Sequence, residues 1–174
     1  MAWLALPPRF MKFTETGMRT DSWDLPEPFI HRVTARAEHI DAFGHVNNAV
    51  YNTWLDETAW AHWDSFGFDK ESCIAARRGM AVMRAETDYL AASYAGDELD
   101  VAVWITTSDG RLRAERRYQI RRVDTGQTIF RSHWKLVCIH LDTGRPARMS
   151  AELVAHYVVK DQVRATLEDA ARAQ

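Results

Sequence analysis

Disulfide pairs, strong charge and long apolar runs are all missing from this chain, and each absence removes a class of protein. Its two cysteines, Cys73 and Cys138, lie far apart in the sequence. Their spacing fits neither a disulfide framework nor a zinc site. Cys138 falls in an apolar, strand-like run and reads as a structural thiol, whereas Cys73 reads as a loop residue open to solvent. The net charge is −2 and the isoelectric point about 6.4. No basic field for nucleic acid is available, although a few arginines could still meet a nucleotide phosphate. No run approaches the ~20 apolar residues of a membrane span. Met1–Phe10 lacks the charged and apolar regions of a signal peptide. The expectation is a soluble, cytoplasmic protein with no membrane partner.

The chain does have the means to build a core. Its 174 residues suit one domain, and 47% of them are apolar, with seven tryptophans. Such a composition favours a packed domain over disorder.

Pro7, Pro8, Pro26 and Pro28 discourage helix in residues 1–28, which read as an N-terminal extension. Trp3, Trp23 and Phe29 could dock it on the core. A first strand is expected over Phe29–Glu38, then a loop to Asn47. From Asn48 the apolar period becomes helical. Tyr51, Trp54, Leu55, Thr58, Ala61, His62 and Phe66 share one face of a helix running to Phe66, with Asn47 or Asn48 as cap and Gly67 beyond its end. Strand-like runs follow at Met80–Ala92, around Val101–Ile105, at Leu112–Ile120 and at Phe130–Cys138. Ala95-Gly96-Asp97, Ser108-Asp109-Gly110 and Asp124-Thr125-Gly126 look like the turns between them. This predicts a four-strand meander with one long helix on an antiparallel sheet, an α+β arrangement. A helical tail is expected over residues 148–174. Exposed sheet edges favour edge-to-edge pairing, so a dimer or larger assembly is expected.

The chemistry concentrates in Asp41-Ala42-Phe43-Gly44-His45-Val46-Asn47-Asn48-Ala49-Val50-Tyr51. A carboxylate beside a helix start combines a base or nucleophile with free N–H donors, as acyl transfer requires. Taken alone, Asp41 could simply form an Asx-turn. Gly44 could serve the turn or let a ligand approach the backbone. His45 could polarise a substrate carbonyl or hold the loop. Asn47 and Asn48 read first as caps, and Tyr51, Trp54 and Leu55 as core, with Trp54 or Trp60 as possible walls of an acyl channel. Arg77, Arg78 and Arg84 are candidates for phosphate contacts or members of a solvated face. His39 and Asp41, with His45 and a distant His133 or His140, could also imitate an iron-binding triad.

Asp41–Asn48, Tyr51, Trp54-Leu55-Asp56 and the stretch Tyr89 through Tyr94-Ala95-Gly96-Asp97 together resemble the 4-hydroxybenzoyl-CoA thioesterase family of hotdog-fold proteins. The resemblance covers about residues 29–147. It implies a hotdog domain, an antiparallel sheet wrapped around one central helix, that hydrolyses acyl-CoA without a cofactor. It implies Asp41 as nucleophile or general base, the backbone N–H near Asn48 as oxyanion donor, and His45 as a further catalytic candidate. Gly44, Asn47, Tyr51, Trp54, Ser93 and Tyr94 complete the implied substrate-binding set. The exposed sheet edges of such a domain make a homodimer or homotetramer the expected assembly. Two other functions fit such a domain: a hydroxyacyl-thioester dehydratase using His45 with Glu57, or a non-catalytic acyl-CoA-binding module.

Overall fold

A computed structural model describes residues 23–173. Its elements are β1 (Phe29–Thr34), α1 (Asn48–Asp64), α2 (Lys70–Ala76), β2 (Arg78–Tyr89), β3 (Glu98–Ser108), β4 (Arg113–Arg122), β5 (Thr128–His140), α3 (Ala151–His156) and α4 (Asp161–Arg172). One antiparallel sheet contains all five strands in the order β1-β3-β4-β5-β2. With the long helix against it, this is the α+β hotdog arrangement.

Helix α1 starts where Asn47 accepts the Ala49 N–H on its side chain at 2.9 Å. That bond satisfies one of the orphan donors of the first turn. The buried face is Tyr51, Trp54, Leu55, Thr58, Ala59, His62 and Trp63. Ala59 and Trp63 replace the expected Ala61 and Phe66. The helix stops before Phe66 can face the core, leaving that ring 53% exposed. Gly67, at φ +75°, then turns the chain away.

The expected four-strand meander is corrected to three strands, β3-β4-β5. β2 pairs with β5, from Arg78 opposite His140 to Tyr89 opposite Phe130, and so forms an edge. The Ala95-Gly96-Asp97 turn is real, but its hydrogen bonds go elsewhere. Gly96 N–H donates to Ala35 at 2.8 Å and Ala35 N–H donates to Asp97 at 2.9 Å. The turn therefore docks on the end of β1 and delivers the chain to β3 beside it.

Two local readings are also corrected. β1 ends at Thr34, and a 3-10 turn occupies Ala37–His39. Cys73 sits on α2, a helix capped by Asp69 through the Ser72 N–H, and is buried in the core at 4% exposure. Burial pushes the Cys73 thiol up to about 11, which leaves it inert at neutral pH.

Both ends of the described chain join the body. Trp104 donates its indole N–H to the Pro26 carbonyl at 2.8 Å, and Asp24 pairs with Arg131 at 2.5 Å. Trp23 packs edge-on to Trp104, while Trp3 lies outside the described residues. The tail is two helices, with Leu153, Tyr157, Val159 and Val163 in the same core as α1 and the sheet. No helix among the described residues is long and apolar enough to cross a membrane.

Candidate active site

The loop before α1 folds tightly on itself. Ile40 and Val46 form an isolated β-bridge, and inside it Asp41 N–H donates to the His45 carbonyl at 2.9 Å. Gly44 N–H donates to the Asp41 carbonyl at 3.0 Å. Gly44 takes φ +83°, a conformation L side chains rarely adopt. Asp41 Oδ1 accepts the Phe43 N–H at 2.8 Å, so the Asx-turn is present. Its second carboxylate oxygen makes no hydrogen bond among the described residues. Holding one oxygen orients the other.

The start of α1 leaves one amide free. Ala49 N–H is taken by the Asn47 side chain and Val50 N–H by the Asn47 carbonyl, each at 2.9 Å. Asn48 N–H has no acceptor among the described residues. A free N–H at the positive end of a helix dipole suits a developing oxyanion.

The segment after β2 closes over this end of the helix. Val46 N–H donates to the Ser93 carbonyl at 2.9 Å, and Tyr51 donates its hydroxyl to Ser93 Oγ at 3.1 Å. Tyr89 donates its hydroxyl to the Asn48 carbonyl at 3.0 Å. His45 meets Tyr94 edge to face, with ring centroids 6.0 Å apart. Asp97 accepts the Tyr94 N–H at 2.8 Å and pairs with Arg122, which also donates to the Ala92 carbonyl. Burial raises the Tyr51 phenol above its ordinary range, so it stays a neutral donor.

The two stretches distant in sequence, Asp41–Tyr51 and Tyr89–Asp97, are thus one unit. Within it, Ser93 and Tyr51 are buried scaffold. Gly44, Asn47, Asn48 and Tyr94 are exposed, and Asp41 and His45 are half-buried. Trp54 is buried between Tyr51 and His39, each 5.4 Å away by ring centroid. Tyr89 is a contributor that the sequence reading named only as a stretch boundary. The usable signal was a tyrosine closing a strand opposite the helix start.

Other candidates fall outside the unit. Glu57 lines a cavity of about 400 Å³ with His31, His39 and Trp54, between β1 and α1, and His45 does not line it. His133 pairs with Glu115 at 2.7 Å, and His140 lies beside Asp142. Among the described residues no three His, Cys, Asp or Glu side chains converge. Arg77 pairs with Asp142 and Arg84 with Glu86, both on stretches remote from Asp41 in the same chain.

The profile of the Thioesterase-like superfamily matches residues 35–157. The chain belongs to that superfamily. A search of curated proteins found no matching sequence. Among solved structures, a 1,4-dihydroxy-2-naphthoyl-CoA thioesterase from Synechocystis superposes with a TM-score of 0.68 at 20% identity, covering 75% of this chain and 96% of that one. The probable thioesterase YbaW from Escherichia coli gives 0.62 at 24% identity, covering 76% and 99%. The hypothetical protein SAV2348 from Staphylococcus aureus, solved in complex with CoA, gives 0.67 at 20% identity, covering 82% and 95%. These likenesses establish the hotdog fold.

Proposed function

We propose that the protein is an acyl-CoA thioesterase in which Asp41 is the reacting group. One observation carries this reading: the carboxylate of Asp41, with one oxygen pinned and one free, stands in the loop that ends at the free Asn48 N–H. Membership of the Thioesterase-like superfamily and neighbours named as CoA thioesterases support it.

The substrate's thioester oxygen sits at the Asn48 N–H. Asp41 takes a proton from a water as that water's oxygen bonds to the carbonyl carbon. The oxyanion is held by the amide and the helix dipole. On collapse the carbon–sulfur bond breaks, and the departing thiolate takes the proton back from Asp41. The products are free CoA and an acid that ionises in solvent. In the nucleophilic variant, Asp41 attacks the carbon itself and water opens the resulting anhydride. His45, on Tyr94, borders the free side of the loop. The dehydratase alternative has no such support, because Glu57, the partner it needs for His45, lines a cavity that His45 does not.

The reading includes a homodimer, alone or paired into a tetramer. β2 is a 12-residue edge strand, with Val82 48%, Met83 58% and Tyr89 42% exposed, and Leu90, just past its end, 50% exposed. A long unpaired edge with exposed apolar side chains calls for a partner. Antiparallel pairing of two β2 strands sets the start of each against the end of the other. That would carry one protomer's Arg77-Arg78 toward its partner's Tyr89 and Asn48, where CoA phosphates would need countercharge.

Thiol release from a panel of acyl-CoAs tests the reading. Turnover of at least one class is expected. Binding of acyl-CoA without release of thiol across the panel would overturn it in favour of a binding module.

A further inference from the structure

The inner face of the sheet carries a buried arginine that the chemistry above does not use. Arg116, on β4, is only 3% exposed, and its Nε and Nη2 have no hydrogen-bond partner among the described residues. Trp63 and Tyr157 hold the guanidinium by their rings, with centroids 5.2 and 5.1 Å from Cζ. Trp134 is its cross-strand partner, and Tyr118 lies two positions along the same face. The indole N–H groups of Trp63 and Trp134 and the hydroxyls of Tyr118 and Tyr157 are also buried without partners. Burial pushes both phenols up, so they remain protonated. Guanidinium and indole groups can only donate. The cluster therefore offers a fixed positive charge and donors, of which Arg116 Nε and Nη2 and both indole N–H groups are unpartnered among the described residues, with the two phenol oxygens as the nearest acceptors. The exposed Asp56 carboxylate lines the same cavity and its charge favours the guanidinium, but it makes no hydrogen bond to it.

That cavity holds about 50 Å³, with Trp60, Trp63, Trp134, Tyr157, Met80 and Val82 in its wall. A single water needs about 10–15 Å³ of such space, so the cavity has room for a small polar group. From its wall, one face of β2 leads along the sheet toward the start of α1. Met80, Val82, Ala85, Thr87 and Tyr89 pair with the buried face of β5, from Cys138 to Phe130, and form a mostly apolar, partly exposed strip along the β2 edge. The strip ends at Tyr89, which holds Asn48. From Asn48 to Asp56 and Trp60, α1 rises about 12–18 Å at 1.5 Å per residue. With carbon–carbon bonds of about 1.5 Å, a zigzag chain of roughly ten to fourteen carbons covers that span.

We propose that Arg116 and its ring of donors bind a carboxylate at the far end of the acyl group. The preferred substrates are then CoA monothioesters of dicarboxylic acids of that length. An apolar lane with a cation at its end reads the chain and its terminal acid together, since guanidinium–carboxylate pairing is strong and geometrically specific. The proposal rests on the thioesterase reading for its reaction, and the binding step is testable without it.

The test has two arms. In the first, purified protein is titrated with decanedioate, decanoate or sulfate, and tryptophan fluorescence reports occupancy beside Trp60, Trp63 and Trp134. Decanedioate is expected to bind at least about tenfold tighter than decanoate, and Arg116→Met is expected to erase the difference. Equal affinities in the unmodified protein would overturn the proposal. Sulfate binding as tightly as decanedioate would also overturn it, by marking a bare anion site. In the second arm, kcat/KM is compared for dodecanedioyl-CoA and dodecanoyl-CoA, with a preference of about tenfold or more expected for the former. The opposite preference, or one that survives Arg116→Met, would overturn it. If Arg116→Met does not fold, Arg116→Lys replaces it, and the unmodified protein's own discrimination still decides. Arg116-dependent decanedioate binding without hydrolysis of either thioester would keep the anion site and overturn the thioesterase reading instead.

Discussion

Tyr51 donates its hydroxyl to Ser93 Oγ at 3.1 Å, with both residues buried. The bond ties the first turns of α1 to the crossover from β2 to β3, and beside it Val46 N–H donates to the Ser93 carbonyl. The loop bearing Asp41 is thereby fastened to a segment far away in sequence. Tyr51→Phe removes the phenol from this pair while keeping the ring on Phe130, which it stacks at 5.1 Å. Breaking a buried hydrogen bond costs about 1–3 kcal/mol. The expected result is a loss of that size in urea unfolding, with thioester hydrolysis reduced a few-fold. Unchanged stability would show that the bond does not fasten the site.

His62 gives the fold an acid limit. It stacks on Phe29 at 4.8 Å inside the core. Burial first, then the charges of Arg116 and Lys160, pushes its imidazole down to about 4. The unfolded value is about 6.5, so between these values the unfolded chain binds the proton and the folded one does not. Stability from this residue is intact above about pH 6.5 and falls as the pH drops toward 4. At pH 5 the loss is on the order of 2 kcal/mol relative to neutral pH. His62→Phe, which retains the stacking, is expected to flatten that part of the stability–pH curve. An unchanged curve in the variant would assign the acid sensitivity to other groups.

The edge strand β2 makes a prediction about assembly. Met83, at 58% exposure, lies at the bulge between Val82 and Arg84. Sedimentation velocity is expected to show a dimer or tetramer for the unmodified protein, and Met83→Lys to shift it toward monomer with reduced activity. A charge on an edge is a recognised block to strand pairing. A monomer that is fully active without substitution would contradict the shared-edge assembly.

What could be read from sequence was mostly local. The Asn47 cap, the Gly44 turn and the face from Tyr51 to His62 rest on neighbours within a few residues, and they appear as expected apart from Ala61 and Phe66, whose places on the buried face go to Ala59 and Trp63. The place of β2 was hidden, because the Gly96 turn is spent on Ala35, a residue remote in sequence. Cys73 was misplaced for a different reason. Its helix is short and set by the cap from Asp69 to Ser72, with little apolar period to reveal it. Arg116 had a signal that went unused. It occupies the inward register of β4, between Ala114 and Tyr118, where a lone cation conflicts with the apolar pattern. At the candidate site, the family resemblance pointed to Asp41 and Asn48, but the contacts of Tyr89 and Ser93 arise from tertiary pairing.

The central claim is that the Asp41 carboxylate performs the chemistry. Asp41→Asn keeps an oxygen able to accept the Phe43 N–H, so the Asx-turn and the melting temperature should survive. It removes the base or nucleophile. The most direct measurement is kcat/KM for thiol release from the best acyl-CoA, in the unmodified protein and in Asp41→Asn, at equal folded concentration. The account predicts a loss of roughly 10²-fold or more, the scale of a lost general base. A folded Asp41→Asn protein that keeps most of its activity would contradict it.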